Sequence, residues 1–162
     1  MKIVLITTIV LVLIAALAFT YRLFKLGKES QIMAPNIGVQ ILDGKKTLAP
    51  CPSTPNCVCS CGDSGDPQHY ISSIPLSVSE INSRERVLAL VEKTPSSHIE
   101  TQTEEYIHYT VKSGLFGFVD DVELLFLDDR IEVRSASRVG HSDLGKNRER
   151  ISQLAKEIAP QN

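Results

Sequence analysis

The chain has 162 residues, 43% of them hydrophobic and 22% charged, with a formal net charge of −2. That length suits one domain of ordinary size with a short accessory segment, and a hydrophobic fraction of this order excludes disorder across the whole chain. Four of the 17 basic residues, Lys2, Arg22, Lys25 and Lys28, flank one apolar segment and all 19 acidic residues follow it, so the part after Lys28 has 13 basic against 19 acidic residues, a net of −6. Such a domain is a poor general nucleic-acid binder, because it lacks the basic face that displaces counterions from phosphates.

The apolar segment comes first. Ile3 to Tyr21 contains no charged residue, and at about 1.5 Å per residue it reaches roughly across the hydrocarbon core of a bilayer. Inside lipid the backbone must satisfy its own hydrogen bonds, so the segment is expected to be a helix. A cleaved signal peptide is the rival reading, since Ala16-Leu17-Ala18 fits the A-x-A pattern. Apolar character continues past that point through Phe19, Tyr21, Leu23 and Phe24, so the segment is read as a retained single-pass anchor within residues 1–28. Three basic residues follow it, against Lys2 and the terminal amine before it, which leans towards a cytoplasmic domain. The cysteines lean the other way.

Residues 29–50 read as a linker with at most one short strand around Val39–Leu42, followed by the turn signal Asp43-Gly44. A domain over 51–162 then opens with an irregular loop, Cys51 to Pro67, rich in Pro, Ser, Gly and Asp. A short strand is expected within Tyr70–Val78. Asn82 with Glu85 three residues on starts a helix carrying Val87, Leu88, Leu90 and Val91 at helical spacing, which Pro95 ends. Next, Ile99, Thr101 and Thr103 share one face of an alternating stretch, and Tyr106, His108 and Thr110 another. Leu115–Val119 and Val122–Leu127 are β-prone, and Asp128-Asp129 turns the chain into Ile131-Glu132-Val133. These make four antiparallel strands with one face buried. Ile151, Leu154, Ala155 and Ile158 fall at i, i+3, i+4, i+7 in a last helix from about Lys146 to Ile158. The order β-α-β-β-β-β-α predicts an α+β two-layer sandwich.

All four cysteines lie within Cys51-Pro-Ser-Thr-Pro-Asn-Cys57-Val-Cys59-Ser-Cys61. Three readings stand. Cys51 and Cys57 can close a small disulfide loop stiffened by Pro52 and Pro55, which requires an oxidising compartment. Alternatively Cys57, Cys59 and Cys61, projecting to one side of an extended segment, form a thiolate face for Cu(I) or Zn. The third reading is reduced thiols with no ligand and no cofactor.

Asp120-Asp121-Val-Glu123 stands at the start of one predicted strand, and Arg134, Ser135, Ser137, Arg138, Asp143, Asn147 and Arg148 follow the next. A hairpin about Asp128-Asp129 brings the carboxylates near Arg134 and Arg138. Serine hydroxyls, backbone amides and a helix N-terminus can then hold an anion. The bland reading is that carboxylates and arginines neutralise one another and staple the loop to the sheet. His141 beside Asp143 reads as a surface histidine.

The segments Leu48-Ala-Pro-Cys51-Pro-x-x-Pro55-Asn56-Cys57-Val58, Asp120-Asp121-Val-Glu123 and Arg134-Ser-Ala-Ser-Arg138-Val-Gly140-x-Ser-Asp143-Leu-Gly145-x-Asn147-Arg148 give the chain from about Leu48 to Ile158 a resemblance to the domain-of-unknown-function family 1499 of bacteria and plants. The resemblance implies no established activity. Association of plant members with the thylakoid lumen implies a domain on the exported side of its membrane. The family has no counterpart to the pair Cys59 and Cys61, which leaves Cys51 and Cys57 as the implied disulfide. Three hypotheses are carried forward: an envelope domain that binds an anionic ligand or partner through the Arg/Ser loop; a hydrolase-like enzyme using Asp120, Asp121 and Glu123 with Arg134 and Arg138; and a thiolate metal-binding protein.

Overall fold

The computed structural model describes residues 2–33, 36–76 and 83–158. Among them the fold is α+β with three helices and antiparallel sheets. Helix α1 runs from Lys2 to Ile32, a 31-residue helix long and apolar enough to cross a membrane. Its apolar side chains from Ile3 to Tyr21 stand exposed. The segment that follows, expected to hold at most one strand, forms a two-stranded hairpin of β1 (Val39–Leu42) and β2 (Lys45–Leu48). Asp43 and Gly44 make its turn with φ of 49° and 74°. A left-handed aspartate followed by glycine suits a two-residue hairpin, so the Asp-Gly turn signal was a hairpin signal.

Strand β3 (Cys57–Cys59) lies inside what the composition presents as an irregular loop. It is short and forms only because β8 offers it an edge. Of the stretch Tyr70–Val78, in which a short strand was expected, residues 70–76 are described, and they contain the two-residue strand β4 (Ile74–Pro75). Helix α2 (Ser83–Lys93) follows; the expected N-cap, Asn82, lies outside the described residues. Then come β5 (Ser97–Gln102), β6 (Tyr106–Lys112), β7 (Val119–Phe126), β8 (Arg130–Ser137) and α3 (Lys146–Ile158). Leu115 to Phe118, β-prone in sequence, instead form the β6–β7 turn, in which Gly117 takes φ 72°. The sheet order is β3-β8-β7-β6-β5, and β4 shares with β3 the outer edge of β8.

Alternation along the strands sorts the core. Ile107, Tyr109, Val122, Leu124, Ile131 and Val133 face α2 and α3 and pack with Val87, Val91, Ile151, Leu154 and Ile158. The other face was expected to be open to solvent. It is also buried: Leu48 of β2 and Cys59 of β3 pack with Tyr106 and Leu125 as a second, smaller cluster. The polar side chains in the same rows, His108, Asp121, Glu123 and Arg134, are enclosed with them. Covering polar groups in this way is stable only if they are hydrogen-bonded.

The end of α1 belongs to this cover. Ser30 is buried, donates its hydroxyl to Gly27 O at 2.8 Å and accepts from Val119 N at 3.1 Å. Gly27 sits so close to the β6–β7 turn that a Cβ there would lie 1.7 Å from Phe116 O. Phe24 meets Phe116 edge to face, with centroids 5.4 Å apart.

Candidate functional site

The ten polar residues that the sequence singles out do not converge on one spot. Period-two alternation sends Asp121, Glu123 and Arg134 to the face under the N-terminal segments, and Asp120, Ser135 and Ser137 to the face towards α3. Arg138, just past the end of β8, turns back to Asp121.

On the first face, β7 and β8 pair Glu123 opposite Arg134, and β6 and β7 pair His108 opposite Glu123. Arg138 holds Asp121 with two prongs, Nε to Oδ2 and NH2 to Oδ1, both 2.8 Å. His108 Nε2 is also 2.8 Å from Asp121 Oδ1. Burial pushes the Asp121 carboxyl up, but the hydrogen bonds from Arg138 and His108 outweigh it and hold the group below the ordinary carboxylate range. Glu123 is wholly buried and takes three donors: Arg134 NH1 at 2.9 Å, the Tyr106 hydroxyl at 2.8 Å and Gly38 N at 2.6 Å. Burial and the neighbouring Glu123 charge drive the Tyr106 hydroxyl far above its ordinary value, so it remains a donor.

One donor in this cluster is left over. Arg134 is 4% exposed and its Nε has no hydrogen-bond partner among the described residues. Arg134 also lines a cavity of about 300 Å³, together with Asp121, Arg138, Ser137, Asn36 and Cys51.

The second cluster closes on itself. Asp120 accepts from Ser137 Oγ at 2.6 Å and from Arg150 NH2 at 2.7 Å. Arg150 NH1 reaches Asn147 Oδ1 at 2.6 Å and Ser135 Oγ at 3.0 Å. Asn147 Nδ2 donates to Asn56 O at 2.9 Å and to Ser137 Oγ at 3.1 Å. Asp143 caps α3, taking Asn147 N on Oδ2 at 2.6 Å and Gly145 N on Oδ1 at 3.0 Å. Arg148 donates to the carbonyls of Pro67 and Gln68, both at 3.1 Å. His141 is exposed. Asn56, from the proline- and cysteine-rich motif, donates to Gly140 O at 2.9 Å. The three separated sequence motifs therefore meet through Asn56, Asp120 and Asn147, and this meeting is a staple.

The cysteines form two bridges, Cys51–Cys57 and Cys59–Cys61. Cys57 and Cys59 do share one face of β3, as an extended segment requires, but as sulfurs of different disulfides. Cys57, Cys59 and Cys61 are thus not three thiolates, and among the described residues no group of His, Cys, Asp or Glu is arranged to hold a metal ion.

Sequence reasoning missed Tyr106 and His108 as site residues, although their shared alternating face was the available signal. It also missed Gly38, Ser30 and Arg150. Gly38 and Ser30 act through backbone position and contact across more than 80 residues, for which a single sequence carries no signal.

A family model described as "Protein of unknown function (DUF1499)" matches residues 47–158. No curated protein and no solved structure matches the chain.

Proposed function

This chain belongs to the DUF1499 family, whose members share no established activity, so its own geometry has to carry the reading: we propose a membrane-tethered, non-enzymatic domain that binds a small anionic group in the cavity beside Arg134 and Arg138. The single observation that carries this is the buried Arg134 Nε, a donor on a charged guanidinium with no acceptor among the described residues. A carboxylate or phosphate oxygen entering the adjoining cavity would satisfy it with a charge-assisted hydrogen bond. Of the ten residues in the sequence-level site, the binding set reduces to Asp121, Arg134 and Arg138. Glu123 holds Arg134 in place, and the other six, Asp120, Ser135, Ser137, Asp143, Asn147 and Arg148, serve the staple.

A hydrolase-like reading gains less support. Asp121 and Glu123 already accept hydrogen bonds from Arg138, His108, Arg134, Tyr106 and Gly38. A carboxylate whose oxygens are already taken by protein donors is poorly placed to exchange a proton with a substrate. The two disulfides favour an exported domain, and α1 favours a single-pass anchor on the same membrane.

A thermal-shift screen of the detergent-solubilised protein against phosphate, sulfate and a series of carboxylates tests the binding reading. Stability should rise with one anion class as its concentration passes the dissociation constant, by about 2.7 kcal/mol at a hundred times that value. Arg134→Lys keeps the charge but removes the Nε donor and should abolish most of the rise. A flat response to every anion would leave the cluster as a structural element alone.

A further inference from the structure

The contacts between α1 and the domain run in order along the helix. Ser30 touches Gly117 and Val119, Gly27 lies against Phe116 O, and Phe24 packs on the Phe116 ring. Moving towards the helix N-terminus therefore moves backwards along the chain from Val119 to Phe116, and the β6–β7 turn is the part of the domain nearest the uncharged run. Phe24 is three residues past Tyr21, about 4.5 Å along the helix axis. Beside it, Leu115 is 71% exposed at the tip of that turn.

A second tip lies at the same end. A groove of about 300 Å³ is lined by Leu23 and Leu26 of α1, by Ser113 and Phe118 from around the β6–β7 turn, and by Gly140, Ser142, Asp143 and Lys146 from the β8–α3 loop. That loop carries Leu144, which is 91% exposed and has φ 57°. A left-handed leucine is a strained residue, and here the strain is not offset by burial in the protein. Arg22, Lys25 and Lys28 lie on α1, Lys112 ends β6 and Lys146 begins α3, next to these two loops. Two exposed leucines at loop tips flank a helix just where its uncharged run ends, with basic residues around them. Apolar tips combined with basic residues are the pattern of an interfacial membrane contact.

We infer that this end of the domain is a membrane-contact surface, in which Leu115 and Leu144 enter the headgroup–acyl boundary of the bilayer that holds α1. The inference rests on α1 spanning that bilayer. It fixes the domain close to the lipid instead of leaving it at the end of a free tether, because the Gly27 and Ser30 contacts make helix and sheet one body.

The full chain in liposomes containing anionic lipid, with single cysteines introduced by Leu115→Cys, Leu144→Cys, Val12→Cys and Asp128→Cys and carrying an environment-sensitive fluorophore, tests it. Asp128 lies in the β7–β8 turn, at the opposite end of β7. The probes at 115 and 144 should be blue-shifted, several-fold less quenched by aqueous iodide than the probe at 128, and quenched by spin-labelled lipid. The probe at 12 reports the anchor: its escape from lipid quenching would overturn the spanning reading and this surface with it. If 12 lies in lipid while 115 and 144 respond like 128, the surface alone is overturned. Protection from iodide without lipid quenching would indicate a second copy over this face, and would overturn it as well.

Discussion

Arg138 holds Asp121 in a two-pronged grip from a position 17 residues further along the chain, with Nε and NH2 each 2.8 Å from a different carboxylate oxygen. The Asp121 side chain is 2% exposed and that of Arg138 11%. Arg138→Ala leaves a buried carboxylate with His108 as its remaining side-chain donor and should destabilise the protein by about 3–5 kcal/mol. Arg138→Lys should recover only part of this, since an ammonium cannot reproduce the planar fork. Denaturant unfolding of the three proteins at neutral pH measures the order. The same pair sets an acid dependence. Because the folded Asp121 pKa is lowered, its stabilisation is present above the unfolded value of about 3.9 and is lost as pH falls through the lower folded value. Asp121→Asn should flatten that limb.

His69 gives a dependence of the opposite sign. Its Nδ1 lies 2.7 Å from Asp66 Oδ2 and its Nε2 3.1 Å from Thr54 O. The Asp66 hydrogen bond raises its pKa above the ordinary value, partial burial opposes this, and the Thr54 carbonyl adds to the rise. The resulting stabilisation is complete below the unfolded value of about 6.5 and is lost as pH rises through the folded one. An NMR titration of His69 should show a midpoint above 6.5, and Asp66→Asn should bring it back towards that value.

Gly27 is needed where α1 passes the β6–β7 turn. A side chain there would meet Phe116 O at 1.7 Å, a backbone atom that cannot swing aside. Gly27→Leu should prise the helix from the sheet and release the Val119 amide from Ser30 Oγ. Hydrogen exchange reads this out directly: Val119 should lose protection, whereas Leu124, in the middle of the sheet, should keep it. Unchanged protection at Val119 would mean that the helix end is not fixed to the domain.

The two disulfides should differ in their effect on stability. Cys51–Cys57 spans a sequence separation of 6 and Cys59–Cys61 one of 2. In the chain-entropy account the longer loop contributes about 2.4 kcal/mol and the shorter about 1.6 kcal/mol. Paired serine substitutions at 51/57 should therefore cost more than those at 59/61 in denaturant unfolding. Alkylation of protein taken from intact cells should leave all four cysteines unlabelled until a reductant is added.

Local patterns read correctly wherever they reported burial on one element. The 3.6-residue spacing of Ile151, Leu154 and Ile158 placed α3, and the uncharged run Ile3–Tyr21 placed the apolar part of α1. The alternation of Tyr106, His108 and Thr110 identified a face, but not that this face is covered. Ten polar residues looked like one site because they are close in sequence; the pleat divides them between two sides of the sheet. Asp120 and Asp121 are neighbours in the chain and belong to different networks.

By itself the sequence determined the family, the α+β class and the apolar helix, because each depends on motifs, periodicity or composition. Only the tertiary structure decided that β2, Gly38 and the end of α1 close over the polar face, that Asp143 and Asn147 serve a helix cap and a staple, and that Arg134, which lines a cavity, has no acceptor for its Nε among the described residues. These depend on contacts between segments far apart in the chain, set by which surfaces the sheet must cover, and no local pattern of residue types encodes that choice.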